Sequence, residues 1–147
     1  MNLPVPVVWS EDCLRHEPGG EVWLGIRDPG TEVPARAVVL RDALAAAGAP
    51  VVPARPHGDD ILRAVHDPGL LSHLAGVWQQ WERAGLPAEH GRDRVVPYVF
   101  PTAGMLAGLP LRTPPAVHGR AGQYCYDTMT LIGPGSWQAI RGPPTPR

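Results

Sequence analysis

Nineteen prolines and seventeen glycines, nearly a quarter of the 147 residues, limit where this chain can form regular elements. Proline has no N–H and a fixed φ, so it sits in the first turn of a helix or stops one. Glycine accepts the left-handed conformation that closes a helix. Two windows between these residues carry helical periodicity. In the first, Val33, Ala37, Leu40, Leu44 and Ala47 recur at steps of four, three, four and three, with Pro34 in the first turn and Gly48 just past the end. The second opens at Asp67-Pro68, lines Leu71, Leu74, Trp78 and Trp81 along one face, and closes at Gly85. The Trp pair reads as core or interface packing, with an aromatic ligand platform as the alternative. The glycines follow no strict period, which excludes collagen, and 44% hydrophobic residues are enough for a packed core.

The remaining segments are short. Val5–Trp9 predicts a first strand, and Val51-Val52, between Pro50 and Pro53, predicts another. Strand, helix and strand in that order point to an α/β fold. Ser10 to Thr31 reads as a long polar loop holding Gly19-Gly20 and the turn Asp28-Pro29-Gly30. Asp59-Asp60 can cap a short helix carrying Ile61, Leu62 and Val65. Leu86 to Pro115 is punctuated by proline and has little periodicity, the mark of a functional loop. Gly122 to Ile132 is denser in pattern. Gly133-Pro134-Gly135-Ser136 predicts a turn with Ser136 as N-cap of a last helix, which Gly142-Pro143-Pro144-Thr145-Pro146 destroys. No internal repeat is visible.

Charge and cysteine usage bound the function classes. The formal net charge of −1 argues against direct nucleic-acid binding and against a polybasic membrane protein. All thirteen basic residues are Arg, which points to GC-rich coding; an Arg-lined phosphate site is the alternative, weakened by their scatter among fourteen acids. Cys13 and Cys125 are far apart, and Met1 to Trp9 makes a poor secretory segment, interrupted by Pro4 and Pro6. No apolar run is long enough to span a bilayer. A reduced, soluble, cytoplasmic protein is expected.

No complete active site emerges from the residues alone. Cys13-Leu14-Arg15-His16, with Asp12 beside it, has metal-ligand spacing, but a closed zinc site needs a second pair, and none exists. His66 and His73 are seven apart, yet the helix starts between them, so capping and surface roles are expected. There is no H-E-x-x-H, no Asp-x-His, no His-His and no G-x-S-x-G. Cys125, between Tyr124 and Tyr126, reads as buried rather than reactive. Glu11-Asp12 and Asp59-Asp60 read as solvated or capping pairs, and no phosphate-cradling loop is present. Neither catalytic nor metal-ligating residues are assigned.

Four segments in order carry a resemblance. His16-Glu17-Pro18-Gly19-Gly20-Glu21 resembles an H-x-P-x-x-E segment that follows a first strand. Glu32-Val33-Pro34-Ala35-Arg36 resembles an E-x-P-x-R segment that opens a long helix. Ala64-Val65-His66-Asp67-Pro68-Gly69-Leu70-Leu71-Ser72-His73-Leu74 follows A-V-H-D-P-x-Y-L-x-x-L. Tyr126-Asp127-Thr128 with Gly133-Pro134-Gly135-Ser136-Trp137 is similar to D-T-x-x-P-I-x-x-G-T-W. Together they resemble the N-terminal part of the histone deacetylase superfamily, in its acetylpolyamine amidohydrolase and bacterial histone-deacetylase-like branch. The sequence departs from the pattern at Gly30-Thr31, where many relatives have His-Pro, and at Leu131, where Pro is expected.

The resemblance implies the N-terminal portion of a three-layer, parallel-sheet arginase/deacetylase-like fold, incomplete in this chain. In the family, zinc is held by an Asp-x-His pair and a second Asp, a His-His pair handles protons, and a Tyr polarises the acetyl carbonyl. None of those motifs occurs here, so no cofactor is expected in this chain, zinc belonging to the complete family enzyme. Two substrate-side residues carry over. Arg36 matches an arginine lining an internal cavity, with a buried structural arginine as the alternative. Asp127 matches an aspartate at the pocket rim, with a turn-capping aspartate as the alternative. The loop from Pro97 to Gly119 covers the substrate entrance and dimer contact of polyamine relatives, making Tyr98, Phe100 and His118 candidates and a homodimer through residues 97–119 conceivable.

Residues 1–141 are thus expected to form the N-terminal part of a deacetylase-like domain, and 142–147 an aberrant Pro-rich tail resembling out-of-frame translation or a premature stop. The expected substrate of the parent enzyme is an acetylated polyamine or acetyl-lysine. Three functional classes follow. One is an incomplete deacetylase without activity of its own. Another is half of a split deacetylase completed by a partner chain. The last is a non-catalytic binding or interaction domain.

Overall fold

The computed structural model describes residues 3–86 and 92–143. Strand β1 (Val7–Trp9) lies parallel to β4 (Val51–Pro53), with Val7 opposite Val51, Val8 opposite Val52 and Trp9 opposite Pro53. The connection between them carries α1 (Pro34–Ala46), so the pair is a βαβ unit, as the strand–helix–strand order requires. Pro34 occupies the first turn and Gly48 turns with φ 90°, where the sequence places them. Helix α1 packs on the β1 side, with the Arg41 guanidinium 4.4 Å from the centre of the Trp9 ring. Its apolar stripe, however, reaches no core: no residue of α1 is buried, and Leu40 and Leu44 are exposed.

The stretch from Ser10 to Thr31 is not the plain loop its polarity predicts. A 3₁₀ helix (Glu11–Arg15) is capped by the Ser10 hydroxyl, which accepts from Asp12 N at 3.1 Å. An antiparallel hairpin follows, β2 (Glu21–Trp23) and β3 (Ile26–Asp28). Its loop is the two residues Leu24 and Gly25, with φ of 49° and 82°, the pattern of a type I′ turn whose twist suits a tight hairpin. A bulky residue at the first such position is rare, which hides the hairpin from a sequence pattern.

A short α2 (Asp60–Arg63) precedes α3 (Pro68–Arg83). Asp59 stands at the start of α2 without a side-chain capping bond; its carboxylate instead accepts from Arg141 Nε at 2.7 Å. Asp67 does cap α3, and Gly85 closes the helix at φ 62°. Beyond α3 the chain makes α4 (Ala103–Leu106), α5 (Val117–Ala121) and α6 (Ser136–Arg141). The principal core lies here: Val77 and Trp81 of α3 meet Val117 and Ala121 of α5, and Val95 pairs antiparallel with Ile132. Trp81 also donates its indole N–H to Arg92 O at 2.8 Å, so the Trp pair is packing and Trp81 is its buried member. Gly142 ends α6 at φ 67°; residues 144–147 of the Pro-rich tail lie outside the described residues.

Candidate functional site

Arg36 is the third residue of α1, and more than half of its side chain is exposed. Its Nη1 donates to Glu32 Oε2 at 2.7 Å. The pair borders a cleft of about 220 Å³ with Cys13, His16 and Leu40. His16 and Glu32 also border a second cleft, of about 240 Å³, shared with Glu21 and Thr130. Thr130 belongs to the turn that Asp127 organises. Asp127 Oδ1 accepts from Met129 N at 2.9 Å and Thr130 N at 3.1 Å, the geometry of an Asx turn. One carboxylate oxygen is therefore engaged in shaping the loop, while the residue stays exposed. His16 and Glu32 thus lie between Arg36 and the Asp127 turn; no hydrogen bond or ion pair joins Arg36 to Asp127 among the described residues.

His16 is held from the far end of the chain. Its Nδ1 lies 2.9 Å from Ser136 Oγ, and Gly133 N donates to the same hydroxyl oxygen at 2.9 Å. The His16 ring and the Gly133 amide thus converge on one hydroxyl, which has one donor and two acceptor sites to serve them. Burial pushes the His16 imidazole below its ordinary value, opposed by Glu32 and Glu17 and assisted by Arg94. A neutral ring agrees with that direction, and either of its tautomers can bond the hydroxyl. Ser136 is not the N-cap its sequence context predicts: Gly135 holds that place at φ 155°, and Ser136 is the first helical residue, fully buried. A hydroxyl so enclosed pins the His16 loop to α6 and offers no nucleophile.

His73 also departs from expectation. It is buried rather than on the surface, its ring stacks on Tyr124 with centroids 4.7 Å apart, and its Nε2 has no hydrogen-bond partner. Burial, with Arg120 nearby, pushes its pKa down to about 4. The signal that finds it is the step of four through His73, Val77 and Trp81, one rung over from the stripe the sequence emphasises.

Tyr98 and His118 do come together, edge to face at 6.5 Å, on an apolar cleft of about 380 Å³ that includes Trp81 and Val96. Phe100 does not line it; its backbone passes Gly122, where a Cβ would strike the Val99 carbonyl. Neither cysteine is activated. Burial pushes the Cys125 thiol up, with Asp127 adding to it, and burial followed by Glu11 raises Cys13. The hairpin and the candidate clefts are braced by Arg27, which pairs with Asp93 and donates to Gly19 O at 3.0 Å, and by Arg94, which donates to Glu17 O at 3.0 Å.

Among the described residues no group of three or more His, Cys, Asp or Glu side chains is placed to hold a metal ion. No helix of the described chain is long and apolar enough to cross a membrane.

No family model matches the chain. Curated proteins and a solved structure do. The chain is 33% identical over 135 residues to the acetylpolyamine amidohydrolase of Mycoplana ramosa, covering 90% of this chain and 37% of that protein. It is 31% identical over 134 residues to acetylpolyamine amidohydrolase 2 of Pseudomonas aeruginosa, covering 90% of this chain and 36% of that one. The crystal structure of an acetylpolyamine aminohydrolase from Burkholderia pseudomallei superposes with a TM-score of 0.76 at 26% identity, over 93% of this chain and 37% of that chain. The chain therefore spans little more than a third of the length of these relatives.

Proposed function

We propose that this chain, which carries the N-terminal part of the acetylpolyamine amidohydrolase fold of the histone deacetylase superfamily, serves as the substrate-side scaffold of a zinc-dependent amidohydrolase. Its substrate class is an acetylated polyamine, with acetyl-lysine as the close chemical relative. The metal and the proton-handling groups come from outside these residues. The single observation that carries this reading is the match in sequence and fold over nine-tenths of the chain, joined to a sequence without His-His or Asp-x-His. Asp127 presents a fixed, exposed carboxylate suited to an ammonium group. Arg36, neutralised by Glu32, orients that neighbouring carboxylate toward the cleft it shares with His16. Both act in binding and positioning, and neither performs a bond-breaking step.

Purified chain is expected to hold no stoichiometric zinc by plasma mass spectrometry and to release no acetate from an acetylated polyamine. One tightly bound zinc per chain with turnover overturns the reading. Within an assembled enzyme, Asp127→Ala is expected to raise KM for the polyamine about tenfold with little change in kcat, the signature of a lost binding contact. A second reading, a binding domain without catalysis, is favoured by the core between α3 and α5, which closes without help from β1, β4 or α1. A cooperative thermal transition of the isolated chain supports that reading; aggregation without a transition counts against it.

A further inference from the structure

The chain that leads to the Asp127 turn is seated on α3 through Tyr124. Its ring stacks on His73 with centroids 4.7 Å apart and planes 27° apart. Its hydroxyl reaches one turn further along the helix, to Gly69, where a Cβ would stand 2.7 Å from the hydroxyl oxygen. Gly69 and His73 are four residues apart and so share one face of α3. On one side of this seat, Gln123 N and Tyr124 N bond back to Arg120 O and Ala121 O of α5. On the other, Thr128 Oγ1 is tied to Val22 O of the hairpin. Between these ties Tyr126 is fully exposed, and Asp127 commits its Oδ1 to the Met129 and Thr130 amides of its own turn. The Tyr124 ring fastens this stretch to α3.

The seat is built around a ring with no provision for a charge. His73 is buried, and its Nε2 has no hydrogen-bond partner among the described residues. The charge acting on it is Arg120 of α5. That guanidinium bonds to Gln80 Oε1 and, at 3.3 Å, to Pro114 O, both uncharged acceptors, and it pairs with no acid among the described residues. The remaining titratable groups around α3 do not offset it. His118 of α5 turns to Tyr98. Asp67 is bound to the Gly69 and Leu70 amides at the helix start, and Glu82 and Arg83 lie exposed at its far end. Arg63, Asp59 and the Arg141 bonded to Asp59 belong to the side of Leu71, Ser72 and Ala75, opposite His73 around the helix. In the seated stretch itself stand the Tyr124 phenol, the Cys125 thiol and Asp127, whose Oδ1 is taken. A proton on His73 thus meets an unopposed cation in a buried site, where a charge needs a partner or water. We propose that the His73–Tyr124 stack is a proton-operated latch: in mild acid His73 takes up a proton, the two rings part, and residues 123–127 leave α3, carrying the Asp127 turn with them. Burial and then Arg120 bring the seated imidazole down to about 4, whereas a solvated one titrates near 6.5. Each pH unit between those values therefore favours the parted state about tenfold. The latch stands apart from the function proposed above; the effect of its opening on an ammonium group held by Asp127 rests on that reading.

Nuclear magnetic resonance of the full chain, between pH 7 and 4, tests the latch. The Tyr124 ring and the amides of Cys125 and Tyr126 are expected to shift together with the His73 imidazole, at one midpoint between about 4 and 6.5. The Trp81 indole N–H, bonded to Arg92 O, is expected to hold its position, because the core between α3 and α5 stays folded. His73→Phe keeps the stacked shape and is expected to abolish the Tyr124 shift over the whole range. Tyr124→Ala opens the seat, so the His73 midpoint rises toward 6.5 and the Cys125 and Tyr126 amides take their acid positions already at pH 7. Tyr124 signals that stay fixed while His73 titrates, a Tyr124 shift that survives in His73→Phe, or a Trp81 signal lost at the same midpoint overturns the proposal. A variant that fails to fold is recognised by its missing Trp81 signal, and the titration of the parent chain then decides. An assembled enzyme whose KM is indifferent to Asp127→Ala overturns the functional reading, while the titration still decides the latch.

Discussion

His73 shows how a single side chain can set the acid response of this molecule. Its ring is buried against Tyr124, its Nε2 has no partner, and the charged side chain acting on it is Arg120, a cation. Nothing near it offsets a proton. The unfolded chain titrates this group near 6.5, the folded chain near 4. Between those values the unfolded state binds more protons, so stability is complete above pH 6.5 and falls as pH drops toward 4. The loss is at most roughly 3 kcal/mol. His73→Phe keeps the stacked shape and removes both the titration and the unpaired nitrogen. Urea unfolding should show the variant more stable at pH 7 by about 1 kcal/mol, with a flatter profile between pH 7 and 4. His16, also pushed down by burial, leaves a residual slope of the same sign. Asp93 acts in a lower window: its bond to Arg27 holds its carboxyl below the usual value, so that contribution disappears only under stronger acid. A variant that loses stability between pH 7 and 4 as steeply as the parent would show that another group governs the transition. The sequence gives the identity of His73 but not its environment, because seven-residue spacing from His66 says nothing about which rung faces α5.

Helix α3 is the element most fully legible in the sequence, because three independent local signals agree. Asp67 Oδ1 accepts from Gly69 N at 2.7 Å and Leu70 N at 3.2 Å, Pro68 occupies a position whose N–H would be unpaired anyway, and Gly85 closes the helix. Asp67→Ala should therefore cost about 1 kcal/mol, and Asp67→Asn much less, since asparagine caps equally well. Thermal unfolding followed by far-ultraviolet circular dichroism separates the two; equal losses would mean that charge, not capping, is what Asp67 contributes. The β2–β3 hairpin was invisible for the opposite reason. Each strand has three residues, too few for alternation to register, and its turn places Leu24 at φ 49°. What holds it is non-local: Thr128 Oγ1 donates to Val22 O at 2.6 Å, and Arg27 reaches Asp93. The site divides the same way. The Asp127 turn is local chemistry and readable as a capping aspartate, whereas the link from His16 to Ser136 joins residues 120 apart in sequence.

At the scale of the whole molecule, burial is lopsided. The cluster of Val77, Trp81, Val95, Val117, Ala121 and Ile132 lies entirely after residue 76, while α1 contributes no buried residue and Val8, Val51 and Val52 remain exposed. Helix α1 was read correctly as a helix, but its apolar residues are spread around it rather than gathered on one side, and periodic spacing alone does not state what covers them. Local opening is easiest where few apolar contacts must be broken. Amide hydrogen exchange of the isolated chain is therefore expected to be fast throughout α1, β1 and β4 and slow in α3, around Val77 and Trp81. Uniform protection of the isolated chain would instead mean that the βαβ unit and the α3–α5 core unfold as one cooperative body. The exposed valines would then be tolerated surface.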